Sequence, residues 1–137
     1  MSRRGLKRMA QRMVRRAGIE GEEGMAVAFG FKSLWAAIVI SLLDELPYVG
    51  LIMTFVTFPL HRILLATDKH TYVFSGRPFH RPGDKLAEYA NAPGTATLGQ
   101  GFISRGQVTF NDGHVVWHSP FFAWRLRAVI EVTNGGQ

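Results

Sequence analysis

The longest apolar stretch of the chain, residues 33–60, constrains its fold most. It reads SLWAAIVISLLDELPYVGLIMTFVTFPL, and its only charged residues are Asp44 and Glu45. A helix that spans a bilayer needs about 20 consecutive apolar residues. The Asp-Glu-Leu-Pro sequence at 44–47 divides the stretch into two shorter apolar segments, 34–43 and 46–60. We therefore expect an apolar helical hairpin rather than one long helix.

Two environments fit this hairpin. In a membrane it would dip into one leaflet or make two short spans, and the carboxylates of the turn would have to be protonated, paired or sheltered by other subunits. In a soluble fold the two helices would pack on a β domain, with the turn in water. Eight side chains are the candidates for burial in a membrane or against another subunit: Leu34, Trp35, Ile38, Leu42, Leu51, Ile52, Phe55 and Phe58.

The positive charge of the chain is concentrated at its N-terminus. The formal net charge is +6, from 16 Lys and Arg against 10 Asp and Glu. Seven basic residues precede the first acidic one, and the rest of the chain is close to neutral; they are Arg3, Arg4, Lys7, Arg8, Arg12, Arg15 and Arg16. This asymmetry predicts an anionic partner for the N-terminal segment alone, either membrane headgroups or nucleic acid.

Residues 3–17 have the periodicity of an amphipathic helix that ends at Gly18. Its apolar stripe consists of Leu6, Met9, Ala10, Met13 and Ala17. Such a helix is suited to lie on an anionic surface, where each nearby Lys or Arg contributes about 1 kcal/mol. The alternatives are a solvated arm and a helix packed on a neighbouring subunit. A membrane is favoured over nucleic acid because the helix has no aromatic residue to stack on bases and the next long segment is apolar.

The pattern changes to alternation from residue 61 onward, which predicts β structure. Residues 62–67 and 70–75 form a predicted hairpin around Asp68-Lys69, with Leu65 opposite Tyr72 and Ile63 opposite Phe74. Residues 24–32, GMAVAFGFK, fit either a short strand or a lead-in to the apolar stretch, and residues 84–91 predict a short helix capped by Asp84.

The C-terminal third contains a second predicted hairpin and a closing helix. Asp112-Gly113 between the alternating segments 107–111 and 114–118 is typical of a two-residue type I′ turn. This turn would pair Val108 with Trp117 and Phe110 with Val115. Short strands are also predicted at 95–98 and 102–104. A helix is predicted from Pro120 to about Thr133, ending at Asn134-Gly135-Gly136.

No arrangement of residues indicates catalysis or a cofactor. The chain has no cysteine, which excludes disulfides, thiolate metal sites and cysteine nucleophiles. Asp44 and Glu45 are adjacent, so neither a helix nor a strand points both at one substrate. On a strand, His114 and His118 would be about 13 Å apart and would need different partners, which favours surface histidines over a zinc site. We therefore predict no catalytic residue, no metal site and no cofactor.

Three basic residues cluster in the loop region after the first predicted hairpin. They are Arg77, Arg81 and Lys85. If this loop folds over the edge of the sheet, these side chains would meet and could receive a phosphate group. The alternative is that they are ordinary solvated loop charges.

The order of these segments resembles the small bacterial PH-like domains, which often follow one or two membrane helices. The resemblance rests on RILLATDKHTYVFSG, on the hairpin QVTFNDGHVVWH and on the closing PFFAWRLRAVIEV. The apolar-x-x-Thr-Asp-Arg/Lys-x-x-apolar pattern of that family corresponds to residues 65–73 here. The N-terminal GLKRMAQRMVRRAGIEGEE also looks like the start of small proteins that share this pattern. The resemblance covers residues 5–24 and 60–132, although a complete PH-like barrel has about seven strands and we count five or six.

These observations together predict an α+β fold with three segments. Residues 1–23 form a basic amphipathic arm with an acidic linker. Residues 24–60 form the apolar helical hairpin, and residues 61–137 form a small antiparallel PH-like sheet or partial barrel closed by a C-terminal helix. The expected protein is a non-enzymatic module on the cytoplasmic face of a membrane that binds anionic lipid, a protein partner or further copies of itself. The alternative is a cytoplasmic oligomer whose basic arms bind nucleic acid.

Overall fold

The computed structural model describes residues 3–31, 61–76, 82–99, 106–117 and 123–135. These residues form two helices and seven strands. In chain order the elements are α1 (Arg3–Ala17), β1 (Gly24–Phe31), β2 (His61–Thr67), β3 (His70–Ser75), β4 (Lys85–Ala90), β5 (Ala96–Leu98), β6 (Gln107–Phe110), β7 (Val115–Trp117) and α2 (Ala123–Thr133).

The seven strands form a single sheet in the order β4-β3-β2-β1-β7-β6-β5, and every pairing is antiparallel. Strand β1 lies in the middle of this order. It pairs with β2 along its whole length, whereas its one pair with β7 among the described residues is Phe31 with Trp117. The sheet therefore consists of two meanders, β1–β4 and β5–β7, that are joined at the end of β1.

The predicted fold is wrong in its organisation. It combined an apolar helical hairpin with a small sheet, whereas the described residues form a seven-stranded sheet with only two helices, α1 and α2. Residues 24–31, for which the sequence left two alternatives, form the central strand β1. This short apolar segment is buried along most of its length, so it has no clear period from which a strand could be identified. Residues 34–60, including the eight predicted burial residues, lie outside the described residues.

The first hairpin confirms the sequence prediction. Leu65 pairs with Tyr72 and Ile63 pairs with Phe74. Because side chains alternate along a strand, Leu65 and Tyr72 lie on one face of the sheet, whereas Leu64 and its partner Val73 lie on the other. The side chains of all four are buried, so both faces of this hairpin are covered.

The two helices lie on opposite faces of the sheet. Gly24 pairs with Thr67 and closely approaches Ala10 of α1, which places α1 on the face that carries Leu65. On the other face, the hydroxyl oxygen of Thr133 in α2 lies 2.7 Å from that of Thr71. The core therefore has two layers, one under each helix.

Residues 85–90 form strand β4, so the short helix predicted at 84–91 is wrong. Lys, Leu, Ala and Glu are good helix formers, and the sequence KLAEYA has little intrinsic preference for a strand. Pairing with β3 decides the outcome: Tyr89 lies opposite Thr71 and is buried, whereas Leu86 is 43% exposed. Tertiary contacts here override the local propensity.

The second hairpin exists, but its predicted register is wrong by one residue. Val108 pairs with Val116 and Gln107 pairs with Trp117. The loop has three residues, because the amide of Gly113 donates to the carbonyl of Phe110 and the amide of Phe110 donates to that of His114. Gly113 has a φ of 90°, as in a type I turn followed by a G1 bulge. As a result Val116, and not Trp117, faces the core.

The sheet curls until strands that are not neighbours touch. The rings of Tyr89 in β4 and Phe110 in β6 stack with their centroids 4.3 Å apart and an angle of 1° between their planes. The hydroxyl of Tyr89 also donates to the carboxylate of Asp112 at 2.8 Å. Burial and this carboxylate together raise the pKa of Tyr89, so the hydroxyl stays protonated and available as a donor.

The helix α2 covers the face of the sheet that carries Thr71, and it ends at Thr133, as predicted. Leu126 and Val129 are buried, whereas Trp124 is 39% exposed. The side chain of Asn134 exchanges two hydrogen bonds of 2.9 Å with the backbone of Ala96. The end of α2 is therefore attached to β5. The predicted start of this helix at Pro120 lies outside the described residues.

A substitution in β7 tests the observed register. We expect Val116→Ala to lower the free energy of unfolding by about 2 kcal/mol, because it leaves a cavity beside Val108. The matched variant Val115→Ala removes the same atoms from a half-buried position on the other face, and we expect it to cost less than about 1 kcal/mol. Urea unfolding of both variants measures the difference. A larger loss in Val115→Ala would support the register with the two-residue turn.

Candidate anion-binding surface

The apolar side of α1 is part of the protein core. The helix runs from Arg3 to Ala17, as predicted. Leu6, Ala10, Met13 and Val14 are each at most 2% exposed. The apolar stripe is therefore packed against the sheet of the same chain, with Met9 and Ala17 partly buried. This is none of the three arrangements considered from the sequence.

The helix and the first residue of β1 are in close contact because that residue is a glycine. A Cβ atom on Gly24 would lie 2.5 Å from the carbonyl carbon of Ala10, which is closer than real Cβ atoms approach. The amide of Gly24 also donates a 2.9 Å hydrogen bond to the side-chain oxygen of Gln11. Any larger residue at position 24 would push α1 off the strand.

Burial of one side of α1 leaves its basic side in solvent. The exposed basic residues of the helix are Arg4, Lys7, Arg8, Arg12, Arg15 and Arg16. Lys7 forms an ion pair of 2.9 Å with Glu23. Within the described part of the chain, Arg4, Arg8, Arg12 and Arg15 have no ion-pair partner. The side chain of Arg3 lies outside the described residues.

The spacing of these arginines places like charges close together on α1, where they repel one another. Arg4, Arg8, Arg12 and Arg16 follow one another at intervals of four residues, and α1 contains no acidic residue. Each like-charge pair at this spacing destabilises a helix by about 0.2–0.5 kcal/mol. Packing against the sheet, rather than charge pairing along the helix, therefore maintains α1. An anion on this side would relieve the repulsion.

A buried carboxylate anchors the linker between α1 and β1. The side chain of Glu22 is 10% exposed. It accepts hydrogen bonds from the hydroxyl of Tyr72 at 2.6 Å and from that of Thr67 at 2.7 Å, and it lies 2.9 Å from Nδ1 of His70. These contacts fix residues 18–23 to the first hairpin and so hold the end of α1 against it.

The same contacts keep Glu22 ionised. Burial by itself raises the pKa of this carboxyl, but the hydrogen bonds from Tyr72, Thr67 and His70, together with the charge of His70, outweigh it. The net effect is a pKa below the ordinary value. A second contact supports the linker, because Glu23 and Asp68 exchange hydrogen bonds of 2.9 Å.

A concave site lies where α1 meets this linker. The cavity has a volume of about 490 Å³ and is lined by Arg4, Lys7, Arg8, Gln11, Glu22 and Glu23. Three of the lining side chains are basic and belong to successive turns of one helix face. Arg12 and Arg15, further along the same helix, do not line it.

Of the other predicted site residues, the structure describes Lys85, which does not line this cavity. Lys85 lies at the start of β4, where it pairs with Glu88 at 3.4 Å and lies over the ring of Tyr72. Arg77 and Arg81, predicted with it as phosphate contacts, lie outside the described residues. In the ranges the structure describes, no group of three or more His, Asp or Glu side chains could hold a metal ion. Neither described helix has the length and apolar character needed to cross a bilayer.

Sequence reasoning missed Glu22. In the chain it appears only as one of three acids after α1, at positions 20, 22 and 23. Its partners are more than 40 residues away along the chain. No local pattern distinguishes it from Glu20, which is exposed. Only the pairing of β1 with β2 brings the linker to the hairpin and reveals its function.

Comparisons of the chain with protein-family models, with curated proteins and with solved structures find no match.

The substitution Glu22→Gln tests the anchoring of the linker. We expect it to lower the free energy of unfolding at neutral pH by about 1–3 kcal/mol, because an amide cannot accept three hydrogen bonds as well as a carboxylate does. Glu23→Gln serves as the matched control, since it removes only an exposed ion pair worth about 0–1 kcal/mol. Chemical denaturation gives both values. Equal losses in the two variants would contradict the anchoring role of Glu22.

The same carboxylate predicts a pH dependence of stability. The pKa of Glu22 is lowered in the folded protein, so its contribution is fully present above its ordinary pKa of 4.5 and is lost as the pH falls through the lower folded value. In Glu22→Gln this part of the acid destabilisation should be absent. Thermal melts of both proteins at pH values below about 5 measure it. Parallel pH profiles for the two proteins would show that Glu22 is not responsible.

Proposed function

We propose that this protein is a non-enzymatic interaction module that attaches to anionic membrane surfaces through the exposed basic side of α1. The observation that carries the proposal is the set of four arginines, Arg4, Arg8, Arg12 and Arg15, which project from a fixed helix and lack an acidic partner in the described ranges. Each basic residue near an anionic membrane surface contributes about 1 kcal/mol of binding.

The structure changes the expected mode of attachment. Leu6, Ala10 and Met13 are buried against the sheet, so they are not available for insertion between lipids while α1 stays on β1. Binding through this surface is then electrostatic. Such binding weakens as salt screens the charges, because the Debye length falls from about 10 Å at 0.1 M to about 3 Å at 1 M.

The likeness to bacterial PH-like domains remains part of the proposal. Seven antiparallel strands followed by a C-terminal helix support it, because a complete PH-like barrel has about seven strands. On this interpretation the curled sheet serves as the scaffold that presents α1. A protein partner or a second copy of the chain is a further expected ligand of such a module.

Nucleic acid is the second candidate partner, and burial of the apolar stripe favours it more than the sequence did. The exposed basic side of a helix can contact phosphates of any polyanion. The described face of α1 carries no aromatic residue for stacking on bases, so binding would be independent of sequence. Retention on DNA that falls with salt, without retention on anionic vesicles, would establish this alternative.

A charge-matched pair of triple variants tests the membrane proposal. We expect neutralisation of Arg8, Arg12 and Arg15 to glutamine to weaken binding to vesicles with anionic lipid by roughly a hundredfold, from about 1 kcal/mol for each residue. The control neutralises three exposed basic residues elsewhere, Lys69, Lys85 and Arg127, and so has the same net charge. Co-sedimentation with vesicles over a salt series measures both.

The control should bind within a few-fold of the unchanged protein. If the two triple variants lose affinity equally, net charge and not the α1 surface determines binding, and the proposal fails. Binding that persists at 1 M salt would contradict electrostatic attachment. Absence of binding to anionic vesicles at low salt would exclude the membrane proposal altogether.

A further inference from the structure

We infer that the cavity between α1 and its linker is a site for a phosphomonoester group, presented either on a lipid headgroup or as free phosphate. The inference rests on the proposed function, since it names the group that the basic side of α1 would recognise. It goes further by restricting recognition to one end of the helix. The site consists of the cationic side chains of Arg4, Lys7 and Arg8, which line a concavity of about 490 Å³.

The three cations leave one face of α1 close together in the sequence. Arg4, Lys7 and Arg8 are spaced at intervals of three and four residues, so their side chains leave the same face of α1 on adjacent turns. A guanidinium group donates two parallel hydrogen bonds to a phosphate, and an ammonium group adds a compact point charge. Gln11 lines the same cavity while its side-chain oxygen accepts from the amide of Gly24. Its amide nitrogen is thus left as a donor.

The two carboxylates at the site differ in how easily a bound phosphate could displace them. The side chain of Glu22 is 10% exposed and is held by three partners, so it stays in place. The side chain of Glu23 is 56% exposed and pairs only with Lys7 among described side chains. Exposed ion pairs of this kind contribute little to stability. A phosphate can therefore displace Glu23 from Lys7 without disturbing the linker.

The charge of the site selects a monoester over a diester. A phosphomonoester carries a charge of about −1.5 to −2 near neutral pH and three acceptor oxygens, whereas a diester carries a single charge. The cavity is lined by three cations and two carboxylates, so its positive charge exceeds the fixed charge of Glu22 once Glu23 is displaced, which favours the more highly charged anion. We therefore expect phosphatidic acid to bind more tightly than phosphatidylglycerol on vesicles of equal surface potential.

Titration with inorganic phosphate, followed by the NMR shifts of the amides of Gln11, Glu23 and Gly24, tests the site directly. We expect Arg8→Gln to weaken phosphate binding about tenfold through loss of a charge-assisted hydrogen-bonding group. Glu23→Gln should tighten it by roughly two- to fivefold, because Lys7 is released. Arg12→Gln is the matched control: it removes the same group from the same helix, outside the cavity.

Vesicle binding of the same variants identifies the source of the phosphate. A preference for phosphatidic acid that disappears in Arg8→Gln and persists in Arg12→Gln supports a lipid headgroup. Binding of inorganic phosphate with this dependence on Arg8 and Glu23, but without a lipid preference, supports a soluble phosphomonoester. Equal effects of Arg8→Gln and Arg12→Gln in both assays would overturn the inference.

The inference and the proposed function can fail separately. Binding to phosphatidylglycerol vesicles that depends equally on all the arginines of α1 would keep the membrane proposal and exclude a defined site. Amide NMR shifts that phosphate induces and that depend on Arg8, in a protein that binds no vesicles, would support the phosphate site and contradict the membrane proposal. Circular dichroism of each variant confirms that α1 and the sheet are retained.

Discussion

The close contact between the backbone of α1 and the start of β1 fixes the position of the helix on the sheet. It requires Gly24, since a Cβ there would collide with the backbone of Ala10. It buries the apolar stripe around Met13, which makes α1 one of the two layers that cover the sheet. The helix thereby acquires a fixed orientation, with one side in the core and the basic side in water. The function proposed for the protein follows from that orientation.

The linker, residues 18–23, fixes the position of α1 relative to the first hairpin. Glu22 connects the end of the helical segment to Thr67, His70 and Tyr72 of the first hairpin, and its lowered pKa shows that the ionised form is the one these partners stabilise. The adjacent Glu23 is exposed and pairs with Lys7. Two neighbouring acids thus have different functions: the buried one fixes the position of α1, and the exposed one neutralises a cation that a phosphate would use. The repulsion among the arginines of α1 is sustained because the core, not charge pairing, maintains the helix.

Sequence patterns correctly predicted the elements whose structure is determined by nearby residues. The alternation around Asp68-Lys69 gave the correct register of the first hairpin, and the periodicity of residues 3–17 gave the correct helix. The failures have tertiary causes. Pairing with β3 makes KLAEYA a strand although its residues favour a helix. The loop at 111–113 extends the predicted turn by one residue, which exchanges Trp117 for Val116 in the core. Strand β1 was ambiguous because its residues are apolar and mostly buried. The basic residues of the candidate site were visible in the sequence, but the sheet that buries their helix and the buried Glu22 were not.

Hydrogen exchange of the α1 amides in the presence and absence of anionic vesicles tests whether α1 is docked on the sheet before it meets any partner. If α1 is docked, the amides of Ala10, Met13 and Val14 are protected in the free protein to a degree similar to those of Leu64 and Leu65 in β2. Vesicles then leave this protection essentially unchanged. Amides of α1 that exchange freely in solution and become protected only on vesicles would contradict this docking. In that case α1 would fold on the membrane, with its apolar stripe in lipid rather than on the sheet.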